Sequence, residues 1–435
     1  MPAPTTNTDE RFTFANRSGG VPYRACDPLI EPRGAGELSV PASHPGRLPR
    51  PRAATGERYD VIVVGARCAG SPTAMLLARA GLQVLVIDRA AFPSDTISGH
   101  AIKPPGVAYL QRWGLLGDVL ATNCPPIRGR HVQFGQRVLD LPSPPPGGLP
   151  PLAPRRVVLD ALLLDAARAA GAEVRERASL QDVIWGNNRV TGAHVRDRDG
   201  HLRVVRAAML VGADGRNSRV ARLVGAPVYG QLGNASIAYY AYWKGFSADK
   251  LEIYFEPGRV VGAFPTHHQE ALIFVQWSVS ERGRFKSDVE GNYLATVRSM
   301  PAVHHRLGGA RRTSRIAGLA ELPNLFRQPF GPGWALVGDA GHHKDPLVAR
   351  GISDAWRDSQ LLADALSGSW GEEHRLKAAL RHYQEIRDHA SIPVARLNAR
   401  LARLDEPLHE LAQLWNDAAA AEAAAEELLA QALAA

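Results

Sequence analysis

The chain has 435 residues, of which 45% are hydrophobic, so it is long enough for two sizeable cores or one discontinuous domain with a second inserted. Its net charge is +8, but only six of its 51 basic residues are lysines, and the basic residues are spread along the chain. This distribution argues against a nucleic-acid partner, and no apolar run approaches the roughly 20 residues that span a bilayer.

The first 57 residues differ in composition from the rest of the chain. They are rich in Pro, Gly, Ser and Arg and show no helical or strand period, as in "EPRGAGELSVPASHPGRLPRPRAATGE". Such a segment cannot bury enough apolar surface to order itself, so residues 1–57 are predicted to be a disordered leader. A misassigned start codon would produce the same pattern.

Cysteine usage and the first residues indicate the compartment. Cys26, Cys68 and Cys124 form no C-x-x-C pair, and any disulfide would leave one of them unpaired. The opening residues "MPAPTTNTDE" lack both the basic and the apolar region of an export signal. We therefore expect a reducing, cytoplasmic environment.

A strand, a glycine loop, a helix and a second strand follow from Tyr59 onwards. "YDVIVVG" is typical of a buried parallel strand, "SPTAMLLARAG" has helical spacing and stops at Gly81, and "LQVLVID" is a second buried strand. That strand ends at Asp88, 23 residues after Gly65, about where a dinucleotide-binding fold places the acid that binds a ribose. The pattern predicts a Rossmann-like unit.

The glycine loop of this unit departs from G-x-G-x-x-G at its second glycine. Gly65 can make the tight turn, and Gly70, after Ala69, can allow close packing of helix and strand. Arg67 stands where the second glycine is expected. Its side chain could turn outward or could approach the phosphates as an added cation.

Two later buried strands also end in a carboxylate. "MLVGADGRNSRVARLVG" runs into Asp214-Gly215 and a helix start at which Ser218 and exposed amides could meet polar groups. "GWALVGDAGHHKDPLVARGISDAW" ends a strand at Gly338-Asp339 and continues through Pro346 and Gly351 into a long amphipathic helix.

Together, in this order, the three motifs resemble those of the FAD-dependent monooxygenases related to para-hydroxybenzoate hydroxylase, over residues 59 to about 395. The resemblance implies that Asp88 binds the adenosine ribose with Arg89 beside it. It also implies that Arg156, in the R-x-x-L-x-x-x-L pattern of "RVVLDALL", lies near the flavin, that Asp339 binds the ribityl chain, and that the Gly351 and Ile352 amides face flavin N1 and O2. The predicted FAD-binding residues are Gly65, Ala69, Gly70, Asp88, Arg89, Arg156, Asp214, Gly215, Gly338, Asp339, Pro346, Gly351 and Ile352.

The chain departs from this family at two loops. Val348 and Ala349 stand where the family has glycines, and Ser353 replaces a frequent asparagine, so the loop before the last helix is bulkier than usual. The segment "SDTISGHAIKPPG" lacks an arginine that many aromatic hydroxylases use with the nicotinamide cofactor. The way NAD(P)H docks is therefore left open.

The predicted fold class is α/β: a discontinuous Rossmann-like FAD-binding domain, an inserted antiparallel β-sheet substrate domain, and C-terminal helices. The FAD-binding domain is assigned to 58–130, 155–228 and 316–395, the substrate domain to 131–154 and 229–315, and the helices to 396–435. Ten of the 29 aromatic residues fall between Tyr239 and Trp277, among short strand-like segments. This favours a sheet that forms one wall of an apolar pocket, although core packing would also place aromatics there.

The histidine pairs do not predict a metal site. His267-His268, His304-His305 and His342-His343 are adjacent residues without chelating spacing. His342, in the Gly-Asp loop, could lie near the flavin or phosphates, or could bond to backbone.

The resemblance implies a reaction in which NAD(P)H transiently reduces FAD, O2 adds at flavin C4a, and the hydroperoxide transfers oxygen to an electron-rich substrate. No protein nucleophile is needed, and no catalytic side chain is assigned. The predicted function is an NAD(P)H-using FAD-dependent monooxygenase, a hydroxylase or epoxidase, acting on an apolar, aromatic or polycyclic small molecule. The oligomeric state is left open.

Four alternatives remain. Geranylgeranyl-type double-bond reductases share similar motifs but have a Y-x-W-x-F-P-like segment, for which this chain has only "VVGAFP" at 260–265. Related halogenases carry W-x-W-x-I-P, which is absent. A small-molecule dehydrogenase or oxidase, and a non-catalytic FAD-binding protein that NAD(P)H would not reduce, complete the set.

Overall fold

A computed structural model of the chain describes residues 57–142 and 148–434. The predicted leader and Cys26 lie outside the described residues, except that Glu57 already belongs to the first strand, one residue before the predicted boundary. Cys68 and Cys124 are buried free thiols. Within the two described ranges, no helix is both long enough and apolar enough to cross a membrane.

The strands in these ranges form three sheets. In chain order they are β1 (Glu57–Val64), β2 (Val84–Ile87), β3 (Gly129–Phe134), β4 (Arg137–Pro142), β5 (Glu173–Arg175), β6 (Ser179–Gly186), β7 (Arg189–Arg196), β8 (Leu202–Gly212), β9 (Val228–Asn234), β10 (Ser236–Lys244), β11 (Leu251–Glu256), β12 (Arg259–Thr266), β13 (Glu270–Ser278), β14 (Arg311–Arg312), β15 (Ala317–Leu319), β16 (Pro323–Arg327), β17 (Phe330–Gly331), β18 (Trp334–Leu336) and β19 (His342–His343).

The α-helices in these ranges lie mainly between strands and at the end of the chain. They are α1 (Gly70–Arg79), α2 (Pro104–Arg112), α3 (Leu116–Ala121), α4 (Arg156–Ala169), α5 (Arg219–Leu223), α6 (Arg282–Ser287), α7 (Val289–Ser299), α8 (Pro301–His304), α9 (Gly351–Ser367), α10 (Glu373–Leu401) and α11 (Leu408–Ala434).

The first sheet has the order β17-β18-β8-β1-β2-β5, and the β6–β7 hairpin joins it at β8. Strand β1 runs parallel to both β2 and β8, and β18 runs parallel to β8. Val61, Ile62 and Val63 have no exposed surface, which explains why β1 reads as a continuous apolar run. The carboxyl ends of β1, β2, β8 and β18 therefore bring Gly65, Asp88 and the two later Asp-bearing loops to one edge.

The second sheet has the order β14-β10-β13-β12-β11-β3-β4 and is antiparallel except where β3 runs parallel to β11. One of its faces packs under α6 and α7, with Phe285, Tyr293 and Val297 fully buried. The other face carries Tyr240 and Tyr242. The mixed α/β fold with a parallel sheet, an antiparallel sheet and C-terminal helices is confirmed.

Two strand pairings and one helix cross the predicted domain boundaries. Strand β9, assigned to the substrate domain, pairs with β16, and β19 pairs with the other side of β16. Strand β15, assigned to the FAD-binding segment, pairs with β10 of the second sheet. Helix α10 runs through residue 395 without a break. Short strands and continuous helices give no local signal of the sheet or domain to which they belong.

Helix α11 contacts the second sheet and the segment before α2. Trp415 packs edge-on against Phe134 and Phe255 of the second sheet. Further along the helix, Glu422 pairs with Lys103, just before α2, at 2.7 Å. The helix therefore joins the second sheet to the segment that precedes α2.

Candidate functional site

The glycine loop between β1 and α1 is built for close backbone approach. Gly65 has a φ of +102°, and a Cβ there would lie 2.5 Å from the Ala213 carbonyl oxygen. A Cβ on Gly70 would lie only 1.7 Å from the Gly65 carbonyl oxygen. Helix α1 begins at Gly70 without a capping side chain or an acidic residue in its first turn. Its N-terminus is therefore suited to an anion such as a pyrophosphate.

Arg67, at the usual second glycine, turns its side chain towards the protein. Its guanidinium lies 2.7 Å from Asp160 and bonds to the Ser94 carbonyl and hydroxyl oxygens at 3.2 and 2.9 Å. It also lies 5.2 Å from the centroid of the Phe92 ring. Arg67 thus ties the glycine loop to the segment after β2.

Asp160 is the buried acceptor at the centre of this arrangement and was not singled out from the sequence. It has no exposed surface, and Arg156 binds it through two nitrogens at 2.9 and 3.0 Å. The Cys68 thiol donates to it at 3.3 Å, and burial raises the pKa of that thiol. The sequence feature that could have identified Asp160 is its spacing: it is a carboxylate four residues after Arg156, on the inner face of an apolar helix.

Asp88 and Arg89 follow β2 at the same edge of the sheet. The Asp88 carboxylate accepts hydrogen bonds from the backbone N–H groups of Ala66 and Ala90 at 2.7 and 2.8 Å. Each carboxylate oxygen keeps a lone pair for a further donor, so the side chain can bind a ribose hydroxyl as well. Arg89 is exposed.

The Asp214 carboxylate is committed to the start of α5. It accepts from the Ser218 hydroxyl at 2.6 Å and from the backbone N–H groups of Arg219 and Val220 at 2.6 and 3.1 Å. Gly215 has a φ of +77° in the turn that follows. The motif lies against the glycine loop, because a Cβ on Gly65 would lie 3.1 Å from the Asp214 Cα. Its visible role is helix capping.

The Gly338-Asp339 turn meets the glycine loop from the other side. Gly338 has a φ of +59°, and a Cβ there would lie 2.9 Å from the Ala69 Cβ. Helix α9 also reaches this loop, through the Ser359 hydroxyl, which donates to the Ala69 carbonyl at 2.9 Å. Asp339 is half-buried, and among the described residues its carboxylate interacts with the charge of Arg156 but accepts no hydrogen bond. It is available to a ligand.

The segment from Pro346 to Ile352 leads into α9. Val348 is buried against the second sheet's cluster, and Ala349 takes the left-handed conformation at a φ of +50°. The side chains that replace glycines here are thus accommodated by packing and by one strained residue. Helix α9 begins at Gly351 with no capping side chain, which leaves its first amides open, as at α1.

These residues fit an elongated dinucleotide. Gly65, Ala69, Gly70, Gly338 and Asp339 lie together between the uncapped N-termini of α1 and α9. Arg156 lies close enough to Asp339 for their charges to interact: burial opposes the charge on Arg156, whereas Cys68, Asp160 and Asp339 raise its pKa. The site offers glycine cradles and helix N-termini for phosphates and carboxylates for hydroxyl groups.

His342 is buried next to α9 and β16. Its ring stacks on Phe326 at 5.3 Å, and Nδ1 lies 3.3 Å from an Asp358 carboxylate oxygen. Burial lowers its pKa to about 4. Neither ring nitrogen has a hydrogen bond to the backbone of the described residues, which contradicts the sequence alternative of a bond to backbone, whereas a contact with the flavin or phosphates stays a prediction.

Two aspartates and one histidine in the described ranges lie close together at the β7–β8 turn: Asp197, Asp199 and His201. There Asp197 accepts hydrogen bonds from the backbone N–H groups of Asp199 and His201 at 3.1 and 2.8 Å. Its carboxylate thereby closes the turn.

The face of the second sheet that bears Tyr240 and Tyr242 has polar groups that the sequence did not reveal. The Tyr242 hydroxyl lies 3.0 Å from Nε2 of His100, and the Arg155 guanidinium lies 3.8 Å from the centre of the Tyr242 ring. Burial raises the pKa of Tyr242 and lowers that of His100 to about 3. The Tyr240 hydroxyl accepts from the Ser98 backbone N–H at 3.3 Å.

Comparison with known proteins agrees with the site. Residues 58–396 match the family described as "FAD binding domain". The chain is 30% identical over 324 residues to a menaquinone reductase of Mycolicibacterium smegmatis, covering 71% of this chain and 76% of the relative. It is 27% identical over 323 residues to a digeranylgeranylglycerophospholipid reductase of Methanosarcina mazei, covering 71% and 75%.

Among solved structures, a probable FAD-dependent monooxygenase from Pseudomonas aeruginosa superimposes with a TM-score of 0.70 at 22% identity, over 83% of this chain and all of that one. At this identity the match shows the shared fold. The predicted resemblance is confirmed, and FAD is the cofactor that the family match supports. The chain belongs to the FAD binding domain family of FAD-dependent oxidoreductases.

Proposed function

We propose that the protein is an FAD-dependent, NAD(P)H-using monooxygenase that hydroxylates or epoxidises an apolar, aromatic or polycyclic small molecule in the cytoplasm. The observation that carries the proposal is the aromatic face of the second sheet. Tyr240, Tyr242, Phe264 and Leu272 cluster there, and this cluster abuts the segment that carries Arg155 and Arg156. An apolar ring system fits such a wall.

Bound FAD would supply the redox chemistry and the activation of O2. In the overall reaction one oxygen atom enters the substrate, the other leaves as water, and NAD(P)H is oxidised with uptake of one proton. The chain's part is to hold the cofactor and to exclude water. We assign Asp88 to the adenosine ribose, Asp339 to the ribityl chain and the first amides of α9 to the flavin edge, where they stabilise negative charge.

His100 and Tyr242 are the candidates for orienting a polar group of the substrate. His100 is neutral at pH 7, since burial holds its pKa at about 3, so its ring can accept one hydrogen bond and donate another. The Tyr242 hydroxyl can pass such a bond on to a substrate hydroxyl or carbonyl. Arg155 over the Tyr242 ring fixes the plane of that ring.

Reduction of a carbon–carbon double bond is the second candidate, favoured by the 30% identity to a menaquinone reductase. The structure of β12 supports the first candidate. In "VVGAFP" Gly262 stands at the tryptophan position of the reductase segment, and a Cβ there would lie 2.2 Å from the Phe274 ring. Phe274 thus fills the space that a larger residue at this position would need. Solved halogenases share the fold to the same degree as the monooxygenase, with a TM-score of 0.70 for one of them, but the W-x-W-x-I-P segment of halogenases is absent from the sequence.

A substrate panel under labelled O2 tests the proposal. Purified protein with FAD is mixed with NAD(P)H and with aromatic, polycyclic and prenylated compounds, and NAD(P)H use, peroxide and product mass are followed together. We expect faster flavin reduction with a true substrate and one labelled oxygen in the product. A product that gains two hydrogens and no label would overturn the proposal in favour of the reductase.

A further inference from the structure

Asp345 is a buried carboxylate between the Gly-Asp turn and α9 that the site described above does not use. It is 2% exposed, and it caps the short turn that begins at Pro346, accepting from the Leu347 backbone N–H at 3.2 Å. Five residues separate it from Gly351, the first residue of α9. It therefore lies at the base of the segment that sets where α9 begins.

The same carboxylate is bonded to two strands of the second sheet. The Ser236 hydroxyl at the start of β10 donates to one oxygen at 2.5 Å, and the Gln276 amide of β13 donates to the other at 2.6 Å. Gln276 also donates to the Ser236 hydroxyl at 2.6 Å, which closes a ring of three side chains. All three are buried, with Ser236 and Gln276 at most 1% exposed.

The backbone of Asp345 extends these connections to two more elements. Its N–H donates to the Asn324 side-chain oxygen of β16 at 2.7 Å, and its carbonyl accepts from the Asn398 amide of α10 at 2.8 Å. These partners carry no charge. Burial raises the pKa of Asp345 to about 6, against the opposing effect of the hydrogen bonds from Ser236, Gln276 and Leu347. A carboxylate is kept here despite the cost of burying it.

The sheet face that holds Asp345 is the one that bears the aromatic wall. Ser236, Tyr240 and Tyr242 alternate on one side of β10, and Gln276 and Phe274 stand opposite Ala238 and Tyr240 on β13. We propose that Asp345 is a positioning residue that fixes the N-terminus of α9, and with it the flavin edge, against the substrate-facing side of the second sheet. It acts through the 346–350 segment and touches neither the reacting atoms nor the cofactor.

This inference rests on FAD binding at α9 and not on the type of reaction, so a failure of the oxygenation test leaves it intact. The test uses the full-length chain with three substitutions. Asp345→Asn keeps the shape but leaves the Ser236 hydroxyl hydrogen without an acceptor. Ser236→Ala removes a single donor. Thr296→Val is the control, because it removes the buried bond from Trp277 at 3.0 Å on the opposite face of the same sheet.

Three quantities are measured for each variant: the melting temperature, the dissociation constant of FAD from titration of apoprotein, and the flavin midpoint potential. We expect Asp345→Asn and Ser236→Ala to weaken FAD binding about tenfold, the equivalent of one hydrogen bond. The affinity for reduced FAD should fall by about a further tenfold. This difference lowers the two-electron potential of the flavin by about 30 mV. Thr296→Val should lower the melting temperature only.

The proposal is overturned if Asp345→Asn destabilises the protein but keeps the wild-type FAD affinity and potential, since Asp345 would then be purely structural. It is also overturned if Thr296→Val changes the potential as much as the other two. Should Asp345→Asn not fold, Ser236→Ala decides by the same criteria.

Discussion

A single side chain explains how the glycine loop tolerates the loss of its second glycine. Arg67 does not point where a pyrophosphate would lie against the loop; its guanidinium is held by Asp160 and by the backbone and hydroxyl of Ser94. A side chain at this position is compatible with dinucleotide binding when other residues of the protein bind it. The same bonds to Ser94 link the glycine loop to the segment after β2.

Restoring the fingerprint with Arg67→Gly should therefore damage the protein. We expect a loss of about 1.5 to 3 kcal/mol in the free energy of unfolding, because a charge-assisted pair with the buried Asp160 disappears. Urea unfolding measures this loss. Arg67→Lys keeps the charge but not the forked contacts, so its free energy of unfolding should lie between those of the wild type and Arg67→Gly. A glycine variant as stable as the wild type would contradict the role assigned to Arg67.

At Asp339 the prediction concerns the cofactor. Removing its carboxylate with Asp339→Ala should weaken FAD binding by roughly 1.5 to 3 kcal/mol, about tenfold to a hundredfold, through loss of a charge-assisted bond to the ribityl chain. Stability without FAD should change less than FAD affinity does, since the carboxylate accepts no hydrogen bond from a described residue and interacts with Arg156 only through charge. Full FAD retention by the variant would show that another group binds the ribityl chain.

At the scale of elements, the contact between β1 and α1 decides the shape of the cofactor loop. Gly70 opens α1 directly over the carbonyl of Gly65, so the helix approaches the strand more closely than any side chain would permit. The first amides of α1 and of α9 both lack a capping side chain. Two helix N-termini far apart in the chain can thereby meet different parts of one dinucleotide.

The substitution Gly70→Ala tests this contact. Its Cβ would lie 1.7 Å from the Gly65 carbonyl oxygen, so we expect a loss of about 3 kcal/mol or more and a colourless protein. The matched control is Gly117→Ala in α3, an exposed helical site with no atom near the added Cβ. It should gain up to about 1 kcal/mol from helix propensity. Equal FAD content in both variants would refute the argument.

At the scale of the whole molecule, buried titratable groups link stability to pH. The imidazoles of His100 and His342 have pKa values lowered to about 3 and about 4, so the unfolded chain binds protons below pH 6.5 that the folded chain does not. Their contribution is complete above pH 6.5 and is lost as the pH falls. Asp345, with its pKa raised to about 6, acts in the opposite direction between pH 4 and 6.

Burial also lowers the pKa of His267 and raises that of Asp364, so three histidines act against two carboxylates and leave a net loss of stability on acidification. We expect the free energy of unfolding to fall by about 1.4 kcal/mol per pH unit between pH 6 and 4, the effect of one net proton. His342→Gln should remove about one proton from this slope, whereas the exposed His374→Gln should keep the wild-type slope. Denaturant titrations at several pH values measure it, and a flat wild-type profile would contradict the burial argument.

The sequence by itself determined the elements whose signal is local. The apolar runs of β1 and β2, the glycines at the β1–α1 turn and the acids at strand ends recur at fixed spacing, because backbone approach and burial on both faces restrict which residues can stand there. These signals were sufficient to predict the parallel sheet and membership of the FAD family. The antiparallel sheet also followed from strand length and aromatic content.

Only the tertiary structure decided which distant side chains meet. Asp160 with Arg67, His100 with Tyr242, and Asp345 with Ser236 and Gln276 are pairs separated by 69 to 142 residues, and no periodic pattern connects their positions. The strand pairings of β9 and β15 are likewise non-local. A buried polar residue must find a partner, but its own sequence neighbourhood does not specify which element supplies that partner, because the choice is made by packing.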